Sequence, residues 1–303
     1  SETLEHNRIQ KIALDQLEIA KNDLEELNNS LEIKVAERTR ELAEINQYTR
    51  ESIEYASLIQ HALIVEPKIF NNYFEQSFAI WNPKDIVGGD IYLIEALNEN
   101  EILIMLIDCT GHGVPGAFVT MLVKAIERQI VSKIYQTHDF TPGGILESFN
   151  NQIKSLLKQE DKDSVSNAGF DGAIIHYNKE NKELNFASAN TPLFICKNQE
   201  VKIIKGDRYS IGYNSSERGY QFKNQKLTLT NDDTVYVTSD GYLDQIGGDR
   251  NFPYGKKRFK SFLSTVQNFD MAKQEQLFID EIMNYQQGLE RVDDVTVIGF
   301  KIK

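Results

Sequence analysis

Four aspartates in this chain stand where apolar, β-prone segments end or begin. The run Ile102-Leu103-Ile104-Met105-Leu106-Ile107 stops abruptly at Asp108-Cys109-Thr110-Gly111-His112-Gly113. That pattern reads as a buried strand delivering a carboxylate to its end, with a glycine-rich turn behind it. Asp90 in Gly88-Gly89-Asp90, Asp240 in Thr238-Ser239-Asp240-Gly241 and Asp293 in Val292-Asp293-Asp294-Val295 have comparable settings. Hard carboxylates without His or Cys partners suit magnesium or manganese rather than zinc. Such ions point to metal-assisted chemistry on phosphate. Taken one at a time, each aspartate could instead simply close a turn.

The elements that must position these groups follow from the rest of the chain. Its 303 residues allow one large domain and an accessory segment. Apolar residues make up 41% and charged residues 26%, the balance of a globular protein. A net charge of -12 argues against a nucleic-acid partner, which would need a basic stripe. Two cysteines, Cys109 and Cys196, without a CxxC pattern imply no disulfide framework and fit a reducing cytoplasm. No apolar run reaches the roughly 18–20 residues of a membrane span, and no signal peptide opens the sequence. The onset is already helical in composition, as expected of a piece of a longer chain.

No Gly or Pro occurs up to residue 62, and Glu, Lys, Gln, Asn and Leu dominate. A long helix is expected. Leu17, Leu24, Leu27 and Leu31 form a heptad-like seam that Ala13 and Ala20 extend upstream. Past Leu31, the residues Val35, Leu42, Ile45 and Ile53 leave that seam, as a stutter would cause. The expectation is a parallel coiled-coil homodimer over 1–51, the alternative being a solvated surface helix. Residues 52–67 read as a linker helix that Pro67 breaks, with apolar residues docking on the globular part at 68–303.

Strands are expected at 75–81, 91–96, 101–108, 170–177, 182–188, 192–197, 201–204, 226–230, 234–239 and 295–302. Asn98-Glu99-Asn100 and Asn178-Lys179-Glu180-Asn181 read as hairpin turns. One helix is expected from Pro115 to about Tyr135, with Phe118, Leu122, Ala125, Ile126 and Ile130 inward. Thr141-Pro142 opens a second that buries Ile145, Phe149, Ile153 and Leu156, and a third covers about 271–287. Hairpins with clustered helices indicate an α+β sandwich rather than a parallel βαβ fold.

The segments VGGDIYLIE, LIMLIDCTGHGVPGAFVTML, ASANTPLFI, YVTSDGYLDQIGG and VDDVTVIGF occur in that order. Together they resemble the blocks of SpoIIE/RsbU-type phosphatases, the bacterial branch of the metal-dependent serine/threonine (PPM, type 2C) phosphatases. The resemblance covers about residues 75–303. It implies an α-β-β-α sandwich of two antiparallel sheets flanked by helices, with two manganese or magnesium ions at one edge. It implies that Asp90 and Asp108 are the catalytic carboxylates around the metal pair, with Asp108 in the middle. It assigns Asp240 and Asp293 to the second metal. It also makes Cys109 a ligand through its backbone carbonyl, where eukaryotic members usually carry Gly; the thiol is then a bystander. A water shared by two such ions becomes hydroxide-like near neutral pH, and the ions offset phosphate charge.

Other residues divide between functional and bland readings. Asp294 either caps a turn or reaches the metals through water, and Asp293 is preferred as ligand. His112 lies two residues beyond the histidine position of the eukaryotic enzymes, where this chain has Thr110; it either serves as a general acid or, as its different register favours, is a loop or packing residue. The phosphate-gripping Arg of those enzymes has no counterpart in WNPKDIVGGD. Lys84 either contacts substrate phosphate or is a solvated loop lysine. Asp171 either joins a third, weak metal site or is a turn residue. Asn190 either lines the site edge as a substrate contact or forms an Asx-turn before Pro192.

The segment LEIKVAERTRELAEIN resembles the signalling helix that follows bacterial sensor domains, and IEYASLIQHALIVEP resembles the linker ahead of RsbU-type domains. The resemblance implies a cytoplasmic output phosphatase acting on phosphoserine or phosphothreonine of a protein partner, a STAS-type anti-sigma-factor antagonist. Altered coiled-coil packing would move the linker and change metal-ligand geometry. Two other classes stay open: a catalytically silent dimeric interaction module, and a nucleotide cyclase-like metal enzyme. Gly88-Gly89-Asp90 shares its letters with the cyclase GGDEF signature, but Ile91-Tyr92 follow, and there is no phosphate-binding P-loop.

Overall fold

The computed structural model describes residues 2–160 and 164–303. Helix α1 takes in Glu2–Leu63, as expected where neither Gly nor Pro interrupts the backbone. Residues up to Tyr55 form one unit and Ala56–Lys303 a second. In the first unit Leu17, Leu24, Leu27 and Leu31 are all exposed along the helix.

In the second unit a 3-10 helix at Pro67–Asn72 leads into the sheets. The strands are β1 (Gln76–Asn82), β2 (Asp90–Ala96), β3 (Glu101–Cys109), β4 (Phe170–Asn178), β5 (Glu183–Ala189), β6 (Leu193–Lys197), β7 (Glu200–Ile204), β8 (Gln225–Thr228), β9 (Thr234–Thr238), β10 (Ile246–Gly247), β11 (Phe252–Pro253) and β12 (Val295–Lys301). The helices are α2 (Gly113–Thr137), α3 (Pro142–Leu156), α4 (Asp240–Asp244), α5 (Gly255–Val266) and α6 (Met271–Gln286). One five-stranded sheet runs β1-β12-β9-β6-β7, the other β2-β3-β4-β5-β8, and β10 with β11 makes a small hairpin. The pairings are antiparallel throughout.

Strand periodicity sorts the core into layers. Tyr92, Ile94, Ile104, Leu106, Ala173, Ile175 and Tyr177 face Val235, Val237, Ile298 and Phe300 of the opposite sheet. The alternate residues Ile91, Leu93, Leu103, Met105 and Ile107 pack under Val123, Ile126, Ile145, Phe149 and Ile153 of α2 and α3. On the other side Phe194, Tyr236 and Val297 pack under Phe259, Leu263, Phe278 and Ile282 of α5 and α6. The result is helices, sheet, sheet, helices, the expected α-β-β-α sandwich.

The two hairpin turns form as anticipated. The Asn98 side-chain carbonyl accepts from the amides of Asn100 and Glu101, and that of Asn178 from Glu180 and Asn181. Thr141 caps α3 by accepting from the Gly144 amide.

Several details differ from expectation. Phe118 is 70% exposed and Ala125 is also outward, so α2 is rotated from the predicted face. Its rotation is set at its first turn, where a Cβ on Gly116 would lie 2.1 Å from the Gly111 carbonyl oxygen and 2.7 Å from Gly89 Cα. Backbone contact that close fixes which side faces inward. Leu156 is exposed at the end of α3. Of the linker residues, Leu58 and Ile59 are exposed, whereas Leu63 and Ile64 pack on the core. The polar Gln60 is the residue buried there. Its amide group donates to the Gly88 carbonyl at 2.7 Å and to Thr120 Oγ1 at 3.0 Å, while its oxygen accepts from the Gly88 amide at 3.1 Å. Full satisfaction of its hydrogen bonds is what makes that burial affordable.

Candidate active site

The strand-end aspartates collect at one end of the space between the sheets. Asp90 on β2 pairs directly with Asp108 on β3, and Asp108 pairs with Asp171 on β4. Directly paired residues share a face, and these three continue the line of Tyr92, Leu106 and Ala173 that points at the opposite sheet. From that opposite sheet β9 runs into Ser239 and Asp240, and β12 begins just after Asp293 and Asp294. The antiparallel registers thus bring together residues up to about 200 positions apart.

Asp90 is buried, at 2% exposure. Thr296 Oγ1 on β12 donates to it at 2.7 Å across the gap between sheets, and Ser239 also hydrogen-bonds it. Burial outweighs those hydroxyls and, with Asp294 and Asp240 nearby, raises its pKa to about 7. Burial, then Asp90, Asp240 and Asp293, push Asp108 well above the carboxylate range. Asp240, at the open mouth, is raised to about 6 by burial and by Asp244, despite a hydrogen bond with Asp108.

These shifts set the pH dependence of the metal-free fold. Their folded pKa values lie above the unfolded ones, so between about pH 4 and about pH 7 the folded state holds protons that the unfolded chain has released. Stability must then fall as pH rises through that window, with the buried Asp90 contributing more than Asp240, which water screens. Chelator-treated protein should melt at a lower temperature at about pH 7.5 than at about pH 5. A melting temperature that rises or stays flat over this interval would contradict the arrangement.

Asp294 does something else. Its two carboxylate oxygens each accept a backbone amide at 2.6 Å, from Lys84 and from Gly89, and the Asp90 amide adds a third bond. It thereby pins the 84–90 loop, and a Cβ on Gly88 would meet its carboxylate at 2.8 Å. Cys109 is buried, and its thiol is pushed well up by burial and the adjacent aspartates, so it is held as the inert neutral form. The Cys109 amide donates to the Gly89 carbonyl at 3.0 Å.

Asp171 is a strand residue, not a turn residue. Asn190, in the left-handed region at φ 58, donates its amide to both Asp171 oxygens and to Ser210 Oγ, each at 3.0 Å. It forms no Asx-turn of that kind; it holds Asp171 one strand away from Asp108. His112 is a loop residue at the N-cap of α2, as one of its two bland readings had it, and its ring is engaged. Its Nδ1 lies 2.7 Å from Asp85 Oδ2 and its Nε2 lies 3.3 Å from Lys84 Nζ.

Among the described residues, no three His, Cys, Asp or Glu side chains form a ready metal cluster. The carboxylates are turned instead onto hydroxyls and onto each other. Their chemistry nevertheless fits hard divalent cations: the donors are all oxygen, and burial and neighbouring carboxylates oppose the ionisation of Asp90, Asp108 and Asp240 unless positive charge is present.

A family description, Stage II sporulation protein E (SpoIIE), matches residues 98–303. This chain belongs to the SpoIIE family. The match takes in Asp108, Asp240 and Asp293, while Asp90 lies ahead of it and is joined to it by the β2–β3 register. Among SpoIIE relatives, the phosphoserine phosphatase RsbP of Bacillus subtilis (strain 168) is 21% identical over 201 residues, 65% of this chain and 46% of that protein. The chain therefore spans about half the length of that curated relative. The SiaA PP2C domain of Pseudomonas aeruginosa superposes with a TM-score of 0.75 at 29% identity, covering 85% of this chain and 98% of that one. The PP2C phosphatase domain of SpoIIE from Bacillus subtilis gives 0.59 at 17% identity, over 75% of this chain and 63% of that one. The fold is thus of the PP2C type.

The sequence did not expose Thr296, Ser239, Asp85 or Gln60 as site residues. Thr296 looks like any β-branched strand former, and its hydroxyl matters only because β12 faces Asp90 across the sandwich.

Proposed function

We propose that this chain is a metal-dependent phosphoserine/phosphothreonine protein phosphatase, the output part of a bacterial signalling protein. The observation that carries the proposal is the gathering of Asp90, Asp108, Asp240 and Asp293 at one sandwich edge in a SpoIIE-family fold. Those four carboxylates and the Cys109 carbonyl would hold two manganese or magnesium ions. When bound, such ions supply Lewis acidity toward water and toward the phosphate oxygens.

The chain's own residues prepare that site. Thr296 and Ser239 orient Asp90 and favour its ionised form. Asp294 fixes the loop that carries Asp90, so the ligand-bearing backbone does not have to order itself on binding. Asp108 and Asp240, which hydrogen-bond each other, must release any shared proton as cations enter, so loading strengthens with pH. Manganese-dependent hydrolysis of a phosphomonoester, lost in Asp240→Asn, tests this reading.

The protein target is proposed to be a STAS-type anti-sigma-factor antagonist in the cytoplasm. RsbP, named a phosphoserine phosphatase, supports the chemistry. Among the described residues no helix is long and apolar enough to cross a membrane. The exposed leucines Leu17, Leu24, Leu27 and Leu31 support a homodimeric coiled coil over 1–51, since an unpaired apolar seam gains by burying itself in a second copy. Residues 52–67 are proposed as the regulatory linker ahead of a catalytic domain at 68–303. Gln60 supports that role, because it grips both backbone groups of Gly88 beside the metal-ligand loop. If a chain starting at Ala56 is monomeric yet as active as the full chain, signal transfer through the dimer is wrong.

A further inference from the structure

We infer that Lys84 grips the phosphate of the substrate and that His112 and Asp85 are the positioning residues that hold it in place; the inference rests on the phosphatase reading. Lys84 Nζ donates to the Val292 carbonyl at 2.9 Å and lies 3.3 Å from His112 Nε2. An ammonium can only donate, so Nε2 must be the accepting nitrogen. The ring hydrogen is then on Nδ1, where it is donated to Asp85 Oδ2 at 2.7 Å. The carboxylate fixes the tautomer, and the tautomer makes the imidazole an acceptor for the lysine.

This chain of contacts ties together three loops that carry the candidate metal ligands. Lys84 and Asp85 precede Asp90, His112 follows Asp108, and Val292 precedes Asp293. The backbone of Lys84 is itself held, its amide donating to Asp294 at 2.6 Å. Both ends of the side chain are therefore fixed at the rim of the carboxylate cluster. Two of the three N–H groups of the ammonium are used, and the third has no partner among the described residues. A lysine left to solvent would not need this bracing, whose entropy cost is recovered only if the fixed charge meets something.

Other cations nearby are differently engaged. The Arg291 guanidinium donates to the carbonyls of Asn82 and Pro83, which joins β1 to the 289–294 loop. Lys256 acts on Asp244, beyond Asp240. Lys84 keeps one N–H donor to offer a dianionic phosphate.

The test is titration of inorganic phosphate into the manganese-loaded full chain, followed by calorimetry, alongside KM and kcat for an aryl phosphate. Lys84→Met should weaken phosphate about tenfold and raise KM to match with kcat within about twofold, the loss expected for one charge-assisted hydrogen bond; Lys84→Arg should restore part of it. His112→Ala should weaken phosphate about threefold alone and add nothing on top of Lys84→Met, because it acts through the lysine. Unchanged affinity in Lys84→Met would overturn the inference, and so would full additivity of the two substitutions. Phosphate binding that depends on Lys84 without any hydrolysis would instead sink the phosphatase reading and leave the clamp standing.

Discussion

Asp108→Asn is expected to move activity and metal-free stability in opposite directions. Hydrolysis should fall about a thousandfold, the scale of losing a central electrostatic element of a phosphoryl-transfer site. Asp108 is paired in register with Asp90 on one side and Asp171 on the other, and it hydrogen-bonds Asp240 from the opposite sheet. No other aspartate of the group has neighbours on all sides. The same placement makes it costly without cations, since burial and three nearby carboxylates oppose its charge. The amide is nearly isosteric and uncharged, so chelator-treated Asp108→Asn should melt above chelator-treated wild type near pH 7.5. Manganese should then stabilise wild type far more than the variant. Thermal melts with and without manganese check this. A variant that is both inactive and less stable without metal would mean that Asp108 is a structural residue.

Gly89→Ala should be strongly damaging, because the added methyl group would run into backbone beside the candidate site. A Cβ there would lie 2.3 Å from the Gly111 carbonyl oxygen and 2.9 Å from that of Cys109. Both obstacles are backbone, so no side chain can swing away. Gly89 also donates its amide to Asp294 and accepts from the Cys109 amide, so moving it breaks the tie between the Asp90 loop and the Asp108 loop. A loss of about 3 kcal/mol is expected from the overpacking, together with loss of metal affinity. Gly111→Ala is the control. It has φ 80 but open space around its Cβ, so it should cost only about 1 kcal/mol, from backbone strain. Denaturant unfolding of the two variants distinguishes contact from strain; equal losses would remove the close-approach argument.

Much of this arrangement could be read from the sequence. The apolar run ending at Asp108 gave β3 and its carboxylate, and the two Asn-rich turns gave the β2–β3 and β4–β5 hairpins, the first of which sets Asp90 beside Asp108; the β3–β4 pairing that adds Asp171 spans a long connection and was not legible. What could not be read was contact across the sandwich. Thr296 and Gln60 are ordinary by type, and their roles come from facing Asp90 and Gly88. Asp294 and Asp293 are adjacent and identical in type, yet only the structure shows Asp294 spent on three backbone amides. Helix α5 was missed although Phe259, Phe262, Leu263 and Val266 carry a helical period, because Lys and Ser between them dilute it. The face of α2 was read correctly at Ile126 and Ile130 but not at its first turns, where the close approach of Gly116 to Gly111 and Gly89 leaves Phe118 in solvent.

The central claim is that the four carboxylates work as a metal-dependent phosphatase. The most direct measurement is hydrolysis of a small aryl phosphate by the full chain, with and without manganese, beside Asp240→Asn. Turnover should require manganese and disappear in the variant. Folded wild-type protein that binds manganese yet shows no turnover, or turnover that survives in Asp240→Asn, would contradict the claim.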